Sequence, residues 1–338
     1  MRGRGRFLGF ALAGLFLVLA VRNVDLAAVA HELASANYWL LAPAAVCTLG
    51  GYLLRTLRWQ VILRPVQPAA WRTLFGILML GFAANNILPA RVGEVVRAYT
   101  LGRKTGAPVS AGLATIVVER VFDGLTLLAL MALALQFAPV GHDDERLRLV
   151  EAGSVVIFAG ALVALVALLT LRTRALAVLG WLLRPLPAGL GRRLGGVAES
   201  FLVGLDCLRR PGVMARSAAL SLLVWSCEAA SYALVARAFN LGLSPLQQLN
   251  AVLFLVVFVN LGIMVPSAPG YIGTFQFFAR LALLPFGVAG ELAFSLAILS
   301  HAMQYVLVTG IGLAILWREH LSLTRLARVP AAVDTPAD

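Results

Sequence analysis

An all-α polytopic membrane protein is the fold class this sequence predicts, with six full spans and two re-entrant helical hairpins arranged as an inverted repeat. Three observations lead there. Of the 338 residues 60% are hydrophobic and only 13% charged, more apolar surface than a soluble domain of this size can bury. Apolar runs near or above about 18 residues recur along the whole length, which is the signature of helices that cross a hydrocarbon core. Two further apolar stretches are interrupted by closely spaced Pro and Gly, residues that end helices and let the chain turn.

The full spans are expected at about 7–21, 38–54, 109–137, 152–171, 215–239 and 290–316. Arg2, Arg4 and Arg6 precede the first run in the manner of a signal peptide. The topology below needs this span, so the run is expected to remain as the first helix. The connecting segments separate by charge. Segment 55–73 carries Arg55, Arg58, Arg64 and Arg72 without an acid, and 172–216 carries eight arginines against Glu199 and Asp206. The 138–151 loop instead holds Asp143, Asp144, Glu145 and Glu151 against two arginines, and the 22–37 loop is mildly acidic. Basic loops face the cytoplasm, so both termini are expected there. The net charge of +12, which in a soluble chain would suggest nucleic acid, is accounted for by the same rule, and no nucleic-acid partner is expected.

The stretches 74–88 and 248–286 complete the pattern. A full crossing by 74–88 would invert every later loop and place the eight-arginine segment outside, so a hairpin entering from the cytoplasm is expected. By the same logic 248–286 dips in from the other side. The breaks share a form, Pro-x3-Gly and then a polar residue: Pro89/Gly93/Glu94 and Pro269/Gly273/Thr274. The order span, span, hairpin, span then occurs twice, over about 1–137 and 150–316, with the second copy inverted, a transporter arrangement. Residues 1–316 form one transmembrane domain with a cytoplasmic insert at 172–214, and 317–338 reads as a disordered cytoplasmic tail. Within the insert Val197, Phe201, Leu205 and Leu208 share one helical stripe, suited either to the membrane surface or to the end of the bundle.

Broken backbone at membrane depth is tolerated inside protein or beside a wet cavity. The candidate binding residues therefore cluster at the breaks: Asn85, Asn86, Pro89, Arg91, Gly93, Glu94 and Arg97 in the first, and Pro266, Ser267, Pro269, Gly270, Gly273 and Thr274 in the second. Each returning half-helix would aim its N-terminal N–H groups at the centre, where an anion such as phosphate is favoured. The alternative is that Pro and Gly only shape the hairpins. A charged side chain within a span costs roughly 2.5–3.5 kcal/mol even on lenient scales, so it seldom faces lipid. Span 109–137 carries Glu119 and Asp123 on one face beside Arg120, a group suited to pairing with Arg91 or Arg97 or to a purely structural network. Glu228 lies in 215–239, and His301 and Gln304 lie in the last span. Arg55 and Arg58, followed by Trp59, read as an interfacial anchor, with a lipid-phosphate contact as the other reading.

Cys47, Cys207 and Cys227 have no metal-ligand spacing, and no Walker, nucleophile-elbow, HExxH or dinucleotide motif is present. No cofactor, metal or catalytic residue is expected. The motifs Asn85-Asn86-Ile-Leu-Pro-Ala-Arg-Val-Gly-Glu-Val-Val-Arg97, Val118-Glu119-Arg120-Val-Phe-Asp123 and Pro266-Ser-Ala-Pro-Gly-Tyr-Ile-Gly-Thr274, in that order, resemble the flippase-like transmembrane domain of the lysylphosphatidylglycerol synthase family. The resemblance covers nearly the whole chain. It implies a lipid moved between leaflets. The soluble aminoacyl-transferase domain of bifunctional members has no counterpart after the last span, so aminoacyl transfer is not expected. The expected function is a bacterial inner-membrane flippase whose lipid substrate has an anionic phosphate. The alternatives are a lipid-binding accessory to a membrane enzyme and an intramembrane lipid-modifying enzyme.

Overall fold

The computed structural model describes residues 2–22, 24–88, 91–137, 188–264 and 268–319, together with positions 156, 160, 163 and 167. The described elements are helical. They comprise α1 (Arg2–Val21), α2 (Leu26–Ser35), α3 (Leu41–Leu63), α4 (Trp71–Ile87), α5 (Gly93–Thr105), α6 (Val109–Leu135), α7 (Ala188–Leu205), α8 (Pro211–Ala238), α9 (Pro245–Gly262), α10 (Thr274–Leu283) and α11 (Gly290–Arg318).

Among the described residues, four helices are long and apolar enough to cross a membrane: Tyr38–Leu63, Pro211–Ala238, Pro245–Gly262 and Gly290–Arg318. A fifth candidate is the pair Ala11–Val21 and Leu26–Ser35, bent by 80°. α6, with 27 residues, has the length but carries Glu119, Arg120 and Asp123 in its middle. Apart from positions 156, 160, 163 and 167, the expected span 152–171 lies outside the described residues, as do the acidic loop before it, 172–187 of the expected insert and 320–338 of the expected tail.

Three expectations change. The loop at 22–37 contains α2, started by Asp25, whose side chain accepts the Ala27 N–H at 2.8 Å. The second span does not stop at 54. α3 runs on to Leu63, so Arg55 and Arg58 lie inside a packed helix instead of anchoring its end at the headgroups. The arginines had marked a boundary in the sequence, yet buried carboxylates on other helices let the span continue past them. Finally, the first arm of the second broken stretch is α9. Ser244 and Gln247 close a capping box around Pro245, and 18 residues give about 27 Å of helix. By length this arm can cross alone.

Packing follows a reciprocal scheme. α3 lies along α8, α4 packs on α11, and α6 packs on α9. Each broken segment folds back on itself, α4 against α5 and α9 against α10, and the returning arms rest on α6 and α11 respectively. The largest core cluster gathers Phe254, Val256, Leu255 and Phe258 of α9 with Tyr232, Val235, Leu296 and Ala297 from α8 and α11. α7 packs on α6, with Leu202 and Leu205 buried against Ile62, Ala114 and Val118, while Val197 stays exposed. Of the two readings of the insert's stripe, Phe201 and Leu205 follow packing against the bundle.

Candidate functional site

The two chain breaks meet. Gly81 in α4 faces Gly93 at the start of α5, and a Cβ added to Gly93 would stand 1.9 Å from the Gly81 carbonyl oxygen. That backbone-to-backbone approach needs glycine and brings the arms of the first hairpin together. Asn85 at the end of α4 accepts the Gly93 N–H through Oδ1 at 2.8 Å, so the first hairpin caps its own returning helix. In the second break the Gln276 side chain accepts the Gly273 N–H at 2.8 Å. Gly270, with φ 69°, lies against Asn86 and Tyr305. A Cβ there would be 3.2 Å from the Asn86 carbonyl and 2.7 Å from the Tyr305 ring.

Across this junction Arg91 donates from Nη1 to the Ile263 carbonyl at 3.0 Å, satisfying a C-terminal oxygen of α9. Its guanidinium lies 5.9 Å from the centre of the Tyr271 ring. Both residues have left-handed backbones, φ 52° at Arg91 and 59° at Tyr271. Non-glycine residues hold such angles at a cost of order 1–3 kcal/mol, and they persist where surrounding contacts over-determine them. In the two Pro-x3-Gly motifs they occupy the same place, two residues after the proline.

Behind the junction lies an ion-pair network carried on one face of each contributing helix. α3 presents Arg55, Arg58 and Trp59 at i, i+3 and i+4, and α6 answers with Glu119 and Asp123 at i and i+4. Arg58 donates from Nη1 to Asp123 Oδ1 and to Ser221 Oγ, each at 2.7 Å, and also approaches Glu119 at 3.8 Å. Arg97 donates to Glu119 Oε2 at 2.7 Å and stacks its guanidinium 4.2 Å above the Trp59 ring. Trp59 in turn donates its indole N–H to Thr115 at 3.1 Å. Arg120 reaches Glu94 at 3.3 Å and Asp123 at 3.4 Å, while Arg55 bridges Asp123 at 3.7 Å and Glu228 at 3.8 Å. Arg91 and Glu94 pair at 3.5 Å, and with Arg120 they are the most open members, with side chains 24%, 30% and 28% exposed. Arg58, Arg97 and Glu119 are almost fully enclosed.

The network backs a cavity of about 110 Å³. A water needs roughly 10–15 Å³ of such space, so the cavity accommodates several waters or one small polar group. Of the residues singled out from the sequence, Asn85, Asn86, Arg91, Arg120, Arg55, Glu228, His301 and Gln304 line it. Gln304 donates to Glu228 at 3.2 Å, and His301 stacks on Phe275 and exchanges a 3.1 Å hydrogen bond with Gln276. His301 is thus a packed, hydrogen-bonded residue with one face on the cavity.

Other candidates stand elsewhere. Arg97, Glu119 and Asp123 are buried behind the lining, so Arg97 serves as part of the brace and does not reach the cavity. Gly273 packs on α1 near Ala13, and Thr274 is fully buried with its hydroxyl unpaired among the described residues. Pro269 opens a short turn whose next residue, Gly270, packs between Asn86 and Tyr305. Pro89, Pro266 and Ser267 lie outside the described residues. Sequence reasoning missed Tyr52, Trp225, Asn260 and Tyr271, which also line it. Tyr271 lay within a quoted motif, but Trp225 had no signal beyond its place three residues before Glu228. Arg55 stacks 5.0 Å from the Trp225 ring, and the buried Trp225 indole N–H has no acceptor among the described residues.

A family profile described as the lysylphosphatidylglycerol synthase TM region matches residues 6–312. The chain belongs to this family. Curated relatives of two kinds are similar to it. Glycosyltransferase AglD of Haloferax volcanii is 28% identical over 96% of this chain, which spans about half (56%) of that protein's length. Two UPF0104 membrane proteins of Methanothermobacter thermautotrophicus are 25% and 26% identical, covering 90% and 91% of this chain and 91% of each relative. The matched region takes in both breaks and the whole charge network, so this lysylphosphatidylglycerol synthase-type membrane protein carries its described polar cluster inside the part that defines the family.

Proposed function

We propose that this protein moves a phospholipid or another polar-headed lipid between the leaflets of a bacterial inner membrane. The observation that carries the reading is the charge balance of the cavity wall. Arg55, Arg91 and Arg120 line it against Glu228 alone, and Arg91 is the lining arginine that pairs with a single carboxylate, Glu94, among the described residues. Counted with the carboxylates behind the wall, five arginines meet four acids, and an apolar bundle would not hold the remaining charge without use, because each charge at membrane depth is costly. A phosphate seated beside Arg91, within reach of the Trp225 indole, would balance it. Glu228 and Gln304 would face the rest of the headgroup. Arg58, Arg97, Glu119 and Asp123 then hold the wall in place and touch no lipid. No residue is assigned a chemical step, and no nucleic acid, metal or cofactor enters the reading.

The architecture that goes with it is an inverted repeat in which α3 to α6 correspond to α8 to α11. The reciprocal packing of α3 on α8, α4 on α11 and α6 on α9 supports this, as does the shared left-handed residue two places after each motif proline. Both termini and the 172–214 insert are assigned to the cytoplasm from their arginines. The test is transport of headgroup-labelled lipids in proteoliposomes. Equal labelling kinetics with protein-containing and empty vesicles would remove the reading.

A second reading rests on one comparison. The matched region makes up about half of a protein named a glycosyltransferase, so a domain of this kind also occurs joined to further chain. In that case the cavity would hold a lipid for a partner membrane enzyme without moving it. Retention of one lipid species through purification together with absent transport would favour this second reading.

A further inference from the structure

We infer a second lipid site, outside the central cavity, in the groove where α4 begins and α5 and α11 end. It would take an anionic phospholipid, with the phosphate between Arg72 and Arg318 and an acyl chain along α11. The groove measures about 650 Å³, within the usual range of roughly 300–1,000 Å³ for ligand pockets. Its walls are divided by chemistry. Phe75, Gly76, Ile311, Ala314 and Ile315 form an apolar floor, and the rim carries Arg72, Lys104, Arg318 and Glu319.

The rim charges are unequal in kind. Lys104 donates to Glu319 at 2.5 Å, which ties the end of α5 to the end of α11 and neutralises both. Arg72 and Arg318 are exposed and have no ion-pair partner among the described residues. The groove therefore has two positive charges to match, one pair of arginine forks flanking an apolar floor. Two further donors point to an anion. α4 starts at Trp71 behind Ala70, which supplies no side-chain cap, so the first N–H groups of this helix remain open. The Trp71 indole N–H is buried and also lacks an acceptor among the described residues. Trp71 stacks on Phe75 at 5.4 Å, and Trp317 next to Arg318 is 80% exposed. Indoles and arginines gathered at one end of a bundle are the usual furniture of a headgroup layer, where acyl chain and phosphate are both within reach. A free anion would leave the apolar floor in water, so the occupant is a lipid.

This site is independent of the central cavity, and its test is a binding measurement. The full-length protein, stripped of lipid in detergent, is titrated with dioctanoyl phosphatidylglycerol, dioctanoyl phosphatidylcholine and inorganic phosphate, with binding followed by native mass spectrometry. The wild type should bind the anionic lipid at least about fivefold more tightly than the zwitterionic one, about 1 kcal/mol. The double variant Arg72→Gln/Arg318→Gln should lose that preference, and both positions are exposed, so its melting temperature should stay that of the wild type. Gly76→Leu should weaken both lipids by filling the floor, since an added Cβ meets only Glu319 and Ile315 at 3.7 and 3.8 Å. In an Arg91→Gln background, which disables the central phosphate seat, the remaining lipid binding should keep an anionic preference that depends on Arg72 and Arg318. Unchanged preference in the double variant would overturn the inference. So would its loss in Arg91→Gln, which would move the anionic lipid to the centre, and so would equal competition by inorganic phosphate, which would mean an anion site without a lipid.

Discussion

Replacing Glu119 by Gln tests whether the buried network is a brace or a binding surface. Glu119 accepts from Arg97 at 2.7 Å and stands 3.8 Å from Arg58, and all three side chains are at most 3% exposed. Gln keeps the shape and one acceptor oxygen but removes the charge. Arg97 would then depend on the Trp59 ring at 4.2 Å, while Arg58 keeps Asp123 at 2.7 Å. Breaking a buried pair by removing one partner typically costs about 3–5 kcal/mol, because the remaining charge stays buried and unpaired. Taking about 2 °C per kcal/mol for a chain of this length, the melting temperature should fall by roughly 6–10 °C. Thermal melts in detergent, run beside lipid-transport assays, measure both consequences. Removing the partner as well, in Arg97→Met/Glu119→Gln, should recover much of the loss, since two neutral groups leave no orphaned charge. A Glu119→Gln protein that melts within about 2 °C of wild type yet transports nothing would refute the brace and move Glu119 to the substrate.

Other outcomes follow from the same geometry. Arg91→Ala should abolish transport with little change in melting, and Arg91→Lys should recover part of it, since lysine is a point charge without the planar fork. Normal transport by Arg91→Ala would move Arg91 from the site to the scaffold. Gly93→Ala should unfold or misassemble the first hairpin, because its Cβ would fall 1.9 Å from the Gly81 carbonyl, whereas Gly310→Ala, with nothing within 4 Å, should behave as wild type in the same melts. Single cysteines placed near Arg192 and near Lys104 should react with impermeant reagent from the cytoplasmic side only. Labelling of the first from the opposite side alone would overturn the assigned topology.

The sequence by itself determined the class of this protein and the places where its chain would break. Those properties are local: an apolar run reads as a span, Pro-x3-Gly reads as an interruption, and a charge within a span must find company. The breaks at Pro89–Glu94 and Pro269–Thr274, the acid pair on α6 and the cavity-facing Asn85, Asn86 and Arg91 were legible for that reason. Even Arg55 and Arg58 were visible, although they read as the end of a span. Only the tertiary structure decided which charge met which. Arg58 and Asp123 are 65 residues apart, and Arg91 donates to a carbonyl 172 residues away. No periodicity within either segment predicts such a meeting, because it depends on which helix faces are turned toward one another. That is why two arginines of one motif separated in the fold. Arg97, one turn along α5, met Glu119 and Trp59 and became part of the brace, while Arg91, held at the break in a left-handed turn, was left on the cavity beside Glu94.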